Sequence, residues 1–146
     1  MRELYDISNI AHAVQLAVAP VFLLTAIGAI LGVMTNRLGR VIDRARLLEM
    51  RLENATDEDA GALQAHLNIL SRRAKLINLA ITCCTMTALL VCSVIAVLFS
   101  GSFVSFDIST PVSILFILAM ILLIMGLLWF LREVFLATAS LRIGPH

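Results

Sequence analysis

Hydrophobic positions along the chain gather into three long apolar runs, separated by one polar stretch and one short loop. The runs cover about residues 10–35, 77–99 and 111–131, and none of them contains Asp, Glu, Lys or Arg. Each is close to the ~20 residues that cross a hydrocarbon core of ~30 Å. Because backbone groups in lipid must be hydrogen-bonded within their own segment, the runs predict three transmembrane α-helices.

The polar stretch, about residues 37–76, has its own periodicity. Apolar residues recur at alternating steps of three and four in two series, which are Leu38, Val41, Ala45, Leu48 and Leu52, and Leu63, Leu67, Leu70, Ala74 and Ile77. Such heptad seams, typical of coiled coils, predict an antiparallel helical hairpin. The first helix would run unbroken from about Asn9 to Glu53. Because two short seams bury little area, we expect hairpins of neighbouring subunits to pack together.

Capping residues agree with these boundaries. Thr56 and Asp59 resemble a capping box at the start of the second helix of the hairpin, and Thr110 before Pro111 suits the N-cap of the third span. The fold predicted is all-α: three transmembrane helices and a hairpin between the first and second, in a single membrane domain of 146 residues.

Basic residues predict the orientation. Eight lie between the first and second runs, namely Arg37, Arg40, Arg44, Arg46, Arg51, Arg72, Arg73 and Lys75. The loop between the second and third runs has none. The positive-inside rule therefore places the hairpin and the C-terminus in the cytoplasm and the N-terminus outside. A signal peptide is disfavoured, because "MRELYD" carries one arginine against two acids and the apolar run is too long.

Composition narrows the function classes. Hydrophobic residues make up 60% and charged residues 14%, which suits a bilayer protein, and a net charge of +1 favours no nucleic-acid partner. Cys83, Cys84 and Cys92 share one apolar run and lack the spacing of a disulfide framework or a zinc pair. No motif for nucleophilic, phosphate or metal chemistry occurs, so we expect no enzyme, cofactor or metal.

Polar residues of the first run, together with Phe22, follow one side of a helix at 100° per residue, and this side continues beyond the run into the arginine-rich stretch. We call it the polar stripe; it comprises His12, Gln15, Phe22, Thr25, Asn36, Arg40 and Asp43. One interpretation is a plain helix contact, in which small residues allow close approach and polar groups bond across it. The other is a pore surrounded by several copies of the helix, with His12 and Gln15 at its outer mouth and Arg40 at its inner one.

Two residues of the first run invite individual hypotheses. His12 is the one ionisable residue of the first run, which suits a pH or metal sensor, but its position close to the outer boundary also suits an interfacial structural role. Pro20 removes one backbone hydrogen bond and is predicted to bend the helix, either as fixed geometry or as a hinge.

The stretch "NRLGRVIDRAR" (residues 36–46) follows the first run directly. Asp43 is spaced for surface ion pairs with Arg40 and Arg46. The predicted anchors to anionic lipid headgroups are Arg37, Arg44, Arg72, Arg73 and Lys75. Orientation and anchoring account for the arginines but not for Asn36 and Asp43.

The segments "APVFLL" (residues 19–24) and "NRLGRVIDRAR", together with the order of spans, resemble a family of small bacterial membrane proteins known as domain of unknown function 2721. The likeness extends over almost the whole chain. It implies a multi-pass protein of the bacterial inner membrane and carries no activity to transfer.

Two hypotheses follow. The sharper is a small homo-oligomeric ion channel lined by the first helix, with membrane lipids, an inorganic ion and other copies of the chain as partners. The alternative is a non-conducting structural or regulatory membrane protein that acts through its cytoplasmic hairpin.

Overall fold

The structure, a computed structural model, describes residues 1–142 and consists of three helices joined by short connections. They are α1 (Arg2–Glu53), α2 (Asp57–Ser100) and α3 (Ser109–Arg142). Each contains one of the predicted apolar runs, and all three are long and apolar enough to cross a membrane. The prediction of an all-helical fold with three candidate spans is therefore confirmed, and residues 1–142 contain no strand.

Helix α1 is longer than its periodicity predicts. It begins at Arg2, seven residues before the predicted start at Asn9, and it ends at Glu53 as expected. No Gly or Pro occurs before Pro20 to interrupt the first turns, and Ser8 Oγ donates a hydrogen bond to the carbonyl oxygen of Tyr5 at 2.9 Å. The helix continues through Pro20, which is buried. A bend at this residue stays a prediction.

Two compact units make up the chain, and each draws on all three helices. The first unit is Met1–Ile30 with Cys83–Ile124, and the second is Leu31–Thr82 with Met125–His146. In the first, the most deeply buried side chains are Ile27, Cys84, Thr87, Val91, Val94 and Ala119. In the second they are Met34, Ile77, Ala80 and, unexpectedly, the carboxylate Glu133.

The predicted seams lie on the less exposed sides of α1 and α2 in the second unit. Val41, Leu70 and Ile77 are buried and the remaining seam residues are half-buried. The connection between the two helices spans only residues 54–56. At its end Thr56 Oγ1 donates to Asp59 Oδ2 at 3.2 Å; this bond joins the two side chains of the predicted capping box to each other and not to backbone N–H groups.

The start of α3 differs from prediction. The helix begins at Ser109, so Thr110 lies inside it and is not its N-cap. The N-cap position is Ile108, whose carbonyl oxygen accepts from Val112 N, and the capping side chain is that of Asp107: its Oδ1 accepts hydrogen bonds from Ser109 N at 3.1 Å and from Ser109 Oγ at 2.6 Å. A carboxylate next to the unpaired N–H groups of a helix start is favoured over a threonine hydroxyl by its charge.

The cap predicts a pH-dependent stability. Hydrogen bonds from the Ser109 hydroxyl and backbone N–H lower the pKa of Asp107 below its ordinary value of 3.8. A depressed pKa contributes stability that is fully present above 3.8 and is lost as pH falls through the folded pKa. We expect Asp107→Ala to lower the melting temperature at neutral pH, and the gap to wild type to narrow below pH 3.8. Ser109→Ala removes one of the two bonds and is expected to give a smaller gap of the same sign. A gap that stays constant down to acid pH would contradict this cap.

Gly101, directly after α2, predicts a packing constraint. A Cβ built there would clash with Ile108 Cδ1 and would lie 3.1 Å from its Cγ2 and 3.2 Å from its Cγ1. Because the obstacle is a movable side chain, we expect Gly101→Ala to cost about 1 kcal/mol of unfolding free energy, the low end for overpacking. Gly61→Ala is the control, since nothing lies within 4 Å of its Cβ position and alanine favours the helix. Thermal denaturation in detergent should show opposite signs for the two substitutions.

Candidate functional site

A buried carboxylate marks the candidate site. Glu133 is 0% exposed and is the only acidic residue in α3. It continues the inward side of that helix, where Gly126 is buried and Phe130 and Ala137 are half-buried, with steps of four, three and four residues. An isolated carboxylate is almost never fully buried, because removing its charge from water is costly. Its partners must therefore supply the compensation.

Two arginines hold this carboxylate, one from α1 and one from α2. Arg37 donates from Nε at 3.2 Å and from Nη2 at 3.0 Å to Glu133 Oε2. Arg73 binds the other oxygen, Oε1, with Nε at 3.1 Å and Nη2 at 3.0 Å. Each carboxylate oxygen thus faces one edge of one guanidinium. We call Arg37, Arg73 and Glu133 the charge cluster.

The charge cluster joins all three helices of the second unit. With two guanidiniums and one carboxylate it carries a net charge of +1. The side chains of Arg37 and Arg73 are 33% and 14% exposed, so the positive ends remain partly open while the negative charge is fully enclosed. Charge-assisted hydrogen bonds of this kind are about twice as strong as neutral ones and fix geometry.

Two aromatic rings of α3 each lie against an arginine. The guanidinium carbon of Arg37 lies 5.5 Å from the centroid of the Phe130 ring, and that of Arg132 lies 5.9 Å from the Trp129 ring. Cation–π contacts at these distances are worth about 0.5–1 kcal/mol each at partly exposed sites. Arg37 is therefore held by two side chains of α3, the carboxylate of Glu133 and the ring of Phe130, which lies three residues before Glu133.

Beside the charge cluster lies a cavity of about 260 Å³, which we call the basic cavity. Its lining residues are Arg37, Arg40, Val41, Arg44, Leu70 and Arg73. Four of the six are arginines and none is acidic. Within residues 1–142, neither Arg40 nor Arg44 forms an ion pair with a carboxylate. The planar guanidiniums of such a site can attract an anion and donate hydrogen bonds to it.

A family model described as "Protein of unknown function (DUF2721)" matches residues 17–143. The chain belongs to this family. The match confirms the resemblance noted from the sequence, and all members of the charge cluster and the basic cavity lie within the matched range. No curated protein and no solved structure matches the chain.

The polar stripe of this DUF2721 protein lies outside the charge cluster, apart from sharing Arg40 with the basic cavity. Its members His12, Gln15, Phe22, Thr25, Asn36, Arg40 and Asp43 are all exposed. Thr25 Oγ1 donates to the carbonyl oxygen of Val21 at 3.2 Å, which satisfies its hydroxyl within the helix. In residues 1–142 Asp43 forms no ion pair with Arg40 or Arg46, so the expected surface pairs are absent from that range.

Among the predicted headgroup anchors, two are engaged inside the protein. Arg37 and Arg73 bind Glu133, whereas Arg44, Arg72 and Lys75 are exposed. Whether any of these anchors contacts lipid stays a prediction. Across residues 1–142, no group of three or more His, Cys, Asp or Glu side chains is placed to hold a metal ion.

Sequence reasoning missed Glu133. The usable signal was its isolation: it is the one acid in a helix of 34 residues, and it falls on the side of that helix where apolar or small residues are expected. An unpaired charge at such a position predicts buried basic partners. The sequence alone offered eight basic residues between the first two runs as candidates and no way to choose two of them.

Proposed function

We propose that the protein is a small homo-oligomeric integral membrane protein in which copies of α1 line a path for an inorganic ion. The observation that carries this proposal is the exposure of the whole polar stripe. In the first unit, the opposite side of α1, with Ala13, Ala17 and Ile27, is buried. His12, Gln15 and Thr25 therefore face away from the rest of that unit.

Polar side chains on the outside of a membrane helix need a partner. Within residues 1–142 neither His12 nor Gln15 has a hydrogen-bonding partner on another side chain. In hydrocarbon such groups are costly, so membrane proteins turn them toward other helices or toward water. Nothing lies within 4 Å of a Cβ built at Gly28 or Gly32, which leaves space for a second helix to approach closely.

The predicted topology gives this path a direction. With the N-terminus outside and the α1–α2 connection in the cytoplasm of a bacterium, His12 and Gln15 stand at the outer end of the path and Arg40 and Asp43 at the inner end. The placement rests on the eight basic residues between the first two runs. Phe22, at 71% exposure, would form the narrow apolar part of the path between the two ends.

Cysteine modification in liposomes tests the pore. The background is Cys92→Ser, since Cys92 is exposed whereas Cys83 and Cys84 are buried. We expect the reconstituted protein to pass ions, and a water-soluble thiol reagent to block flux through Thr25→Cys. The control is Ile117→Cys on α3, where Ile117 is 59% exposed and would face lipid. Absence of ion flux from a verified oligomer, or equal block at both positions, would refute the pore.

A second candidate function rests on a groove in the second unit. A cavity of about 600 Å³ between α1 and α2 is lined by seam residues that include Val41, Ala45, Leu52, Leu67 and Ala74. Half-buried apolar side chains beside open space indicate a surface that another helix would cover. We propose that the same segment of a second copy occupies this groove. Under this second hypothesis the protein is a structural or regulatory assembly that does not conduct ions.

Truncation separates the two functions. Removing residues 50–62 shortens both helices at their connection and leaves the three apolar runs intact. If the groove holds copies together, the truncated protein should run as a monomer in detergent by light scattering. Leu67→Gln is the point variant and is expected to act in the same direction. A truncated protein that stays oligomeric and conducts ions would favour the pore.

A further inference from the structure

We propose that the basic cavity is a binding site for a phosphate group. The inference concerns Arg37, Arg40, Arg44 and Arg73 and does not depend on whether α1 lines a pore. The ligand class is a tetrahedral phosphate anion, either on the headgroup of a phospholipid or as free inorganic phosphate.

The net positive charge around the cavity favours the binding of an anion. Four guanidiniums line about 260 Å³, and the one carboxylate that touches any of them is Glu133, in the part of the chain described. The sum is four positive charges against one negative, or +3. Like charges crowded around one cavity repel each other, and a bound anion relieves that repulsion.

The spacing of the arginines makes a converging site rather than a scattered surface. Arg37, Arg40 and Arg44 follow one side of α1 at steps of three and four residues. Arg73 faces the same cavity from α2. Donors on two helices can thus reach one anion from different directions.

Glu133 holds two of these arginines in position. It occupies Nε and Nη2 of both Arg37 and Arg73. In residues 1–142 the Nη1 group of each has no hydrogen bond to protein and remains available. Fixing a long side chain before binding lowers the entropy that binding must overcome, so the carboxylate acts as a positioning residue for the site.

Both the chemistry and the position of the cavity suit a phosphate group. Guanidiniums match phosphate oxygens with two parallel hydrogen bonds, and the cavity has room for several molecules of water size at ~30 Å³ each. Arg40 and Arg44 are exposed, so the cavity is open to a ligand from outside. Arg37 stands two residues beyond the end of the first apolar run, the level at which headgroup phosphates lie.

The experiment uses the full chain purified in detergent and two double variants of equal charge. Arg40→Gln with Arg44→Gln removes the two cavity arginines that do not bind Glu133. Arg46→Gln with Arg51→Gln, the control, removes two exposed arginines of α1 outside the cavity. The lipid probe is dioleoyl phosphatidic acid, compared with dioleoylglycerol, which lacks the phosphate, by native mass spectrometry. The second probe is inorganic phosphate, compared with chloride at equal ionic strength, by thermal shift.

We expect at least one phosphate probe to bind the wild type and the control equally. The same probe should bind the Arg40/Arg44 double variant at least about tenfold more weakly, since tenfold is the factor expected for the loss of a single charge-assisted hydrogen bond. Binding of phosphatidic acid alone assigns the site to a lipid headgroup, and binding of inorganic phosphate alone assigns it to the free ion; both support the proposal. The proposal is overturned if neither probe exceeds its phosphate-free comparison, or if the Arg46/Arg51 control loses as much binding as the cavity variant.

Discussion

Replacing Glu133 with glutamine is expected to lower the free energy of unfolding by about 3 kcal/mol, the low end for breaking a buried ion pair. Glutamine preserves the shape but removes the negative charge that two guanidiniums share. Arg73, at 14% exposure, then keeps a nearly enclosed positive charge without compensation, while Arg37, at 33%, recovers part of its hydration. The cost is therefore below the maximum for a fully buried pair. Chemical denaturation of the detergent-solubilised chain measures it.

A triple replacement distinguishes the ion pair from simple packing. Arg37→Met and Arg73→Met together with Glu133→Leu remove every charge of the cluster and keep apolar volume in its place. Such replacements of buried ionic groups are often neutral or stabilising, so we expect the triple variant to recover most of the stability lost by Glu133→Gln. If Glu133→Gln alone stays within about 0.5 kcal/mol of wild type, as exposed substitutions usually do, the charge cluster does not stabilise the fold.

The helices could be predicted because their signals are local. Three uncharged runs, each close to the ~20 residues that cross a bilayer, predict three candidate spans. Steps of three and four residues identify the inward sides of α1 and α2. The start of α3 was misplaced for an equally local reason. Thr110 before Pro111 is a common cap pattern, but Asp107 offers a charged acceptor two residues before Ser109.

The charge cluster could not be predicted in the same way, since it depends on distant contacts. Glu133 is 96 residues from Arg37 and 60 residues from Arg73 in sequence. In the sequence both arginines belong to a large basic group that orientation alone explains. Only the packing of α3 against α1 and α2 in the second unit selects these two. The positions of the arginines in the sequence therefore predict the orientation in the membrane, but they do not predict which two arginines bind Glu133.

The same distinction separates the polar stripe from the basic cavity. The stripe follows one helix, so 100° periodicity was enough to find it, and the structure leaves its members exposed. The cavity combines Arg37, Arg40 and Arg44 with Arg73 of another helix. Arg40 is the one residue common to both. Arg40→Gln alters both sites at once, so Arg44→Gln, which alters only the cavity, tests whether ion passage and phosphate binding are linked: loss of both would connect the two sites, and loss of phosphate binding alone would separate them.

Truncating Ile77 to alanine is expected to produce the second large effect, a loss of about 2–4 kcal/mol of unfolding free energy. Ile77 is 0% exposed and lies one helical turn after Arg73 on α2, at the start of the second apolar run. Removing its side chain leaves a cavity in the second unit that the surrounding helices can fill only partly.

The surroundings of Ile77 decide where in that range the cost falls. If the residue lies within the bilayer, the unfolded reference state is also apolar, so the cost comes from lost packing rather than from transfer out of water. We then expect a value nearer 2 kcal/mol than 4. Leu79→Ala is the matched control, because Leu79 is on the same helix and 41% exposed, and it should change stability by no more than about 0.5 kcal/mol. Ile77→Val should fall between the two, at about 0.5–1.5 kcal/mol. Equal losses for Ile77→Ala and Leu79→Ala in the same detergent would mean that the side of α2 that carries Ile77 is not the packed one.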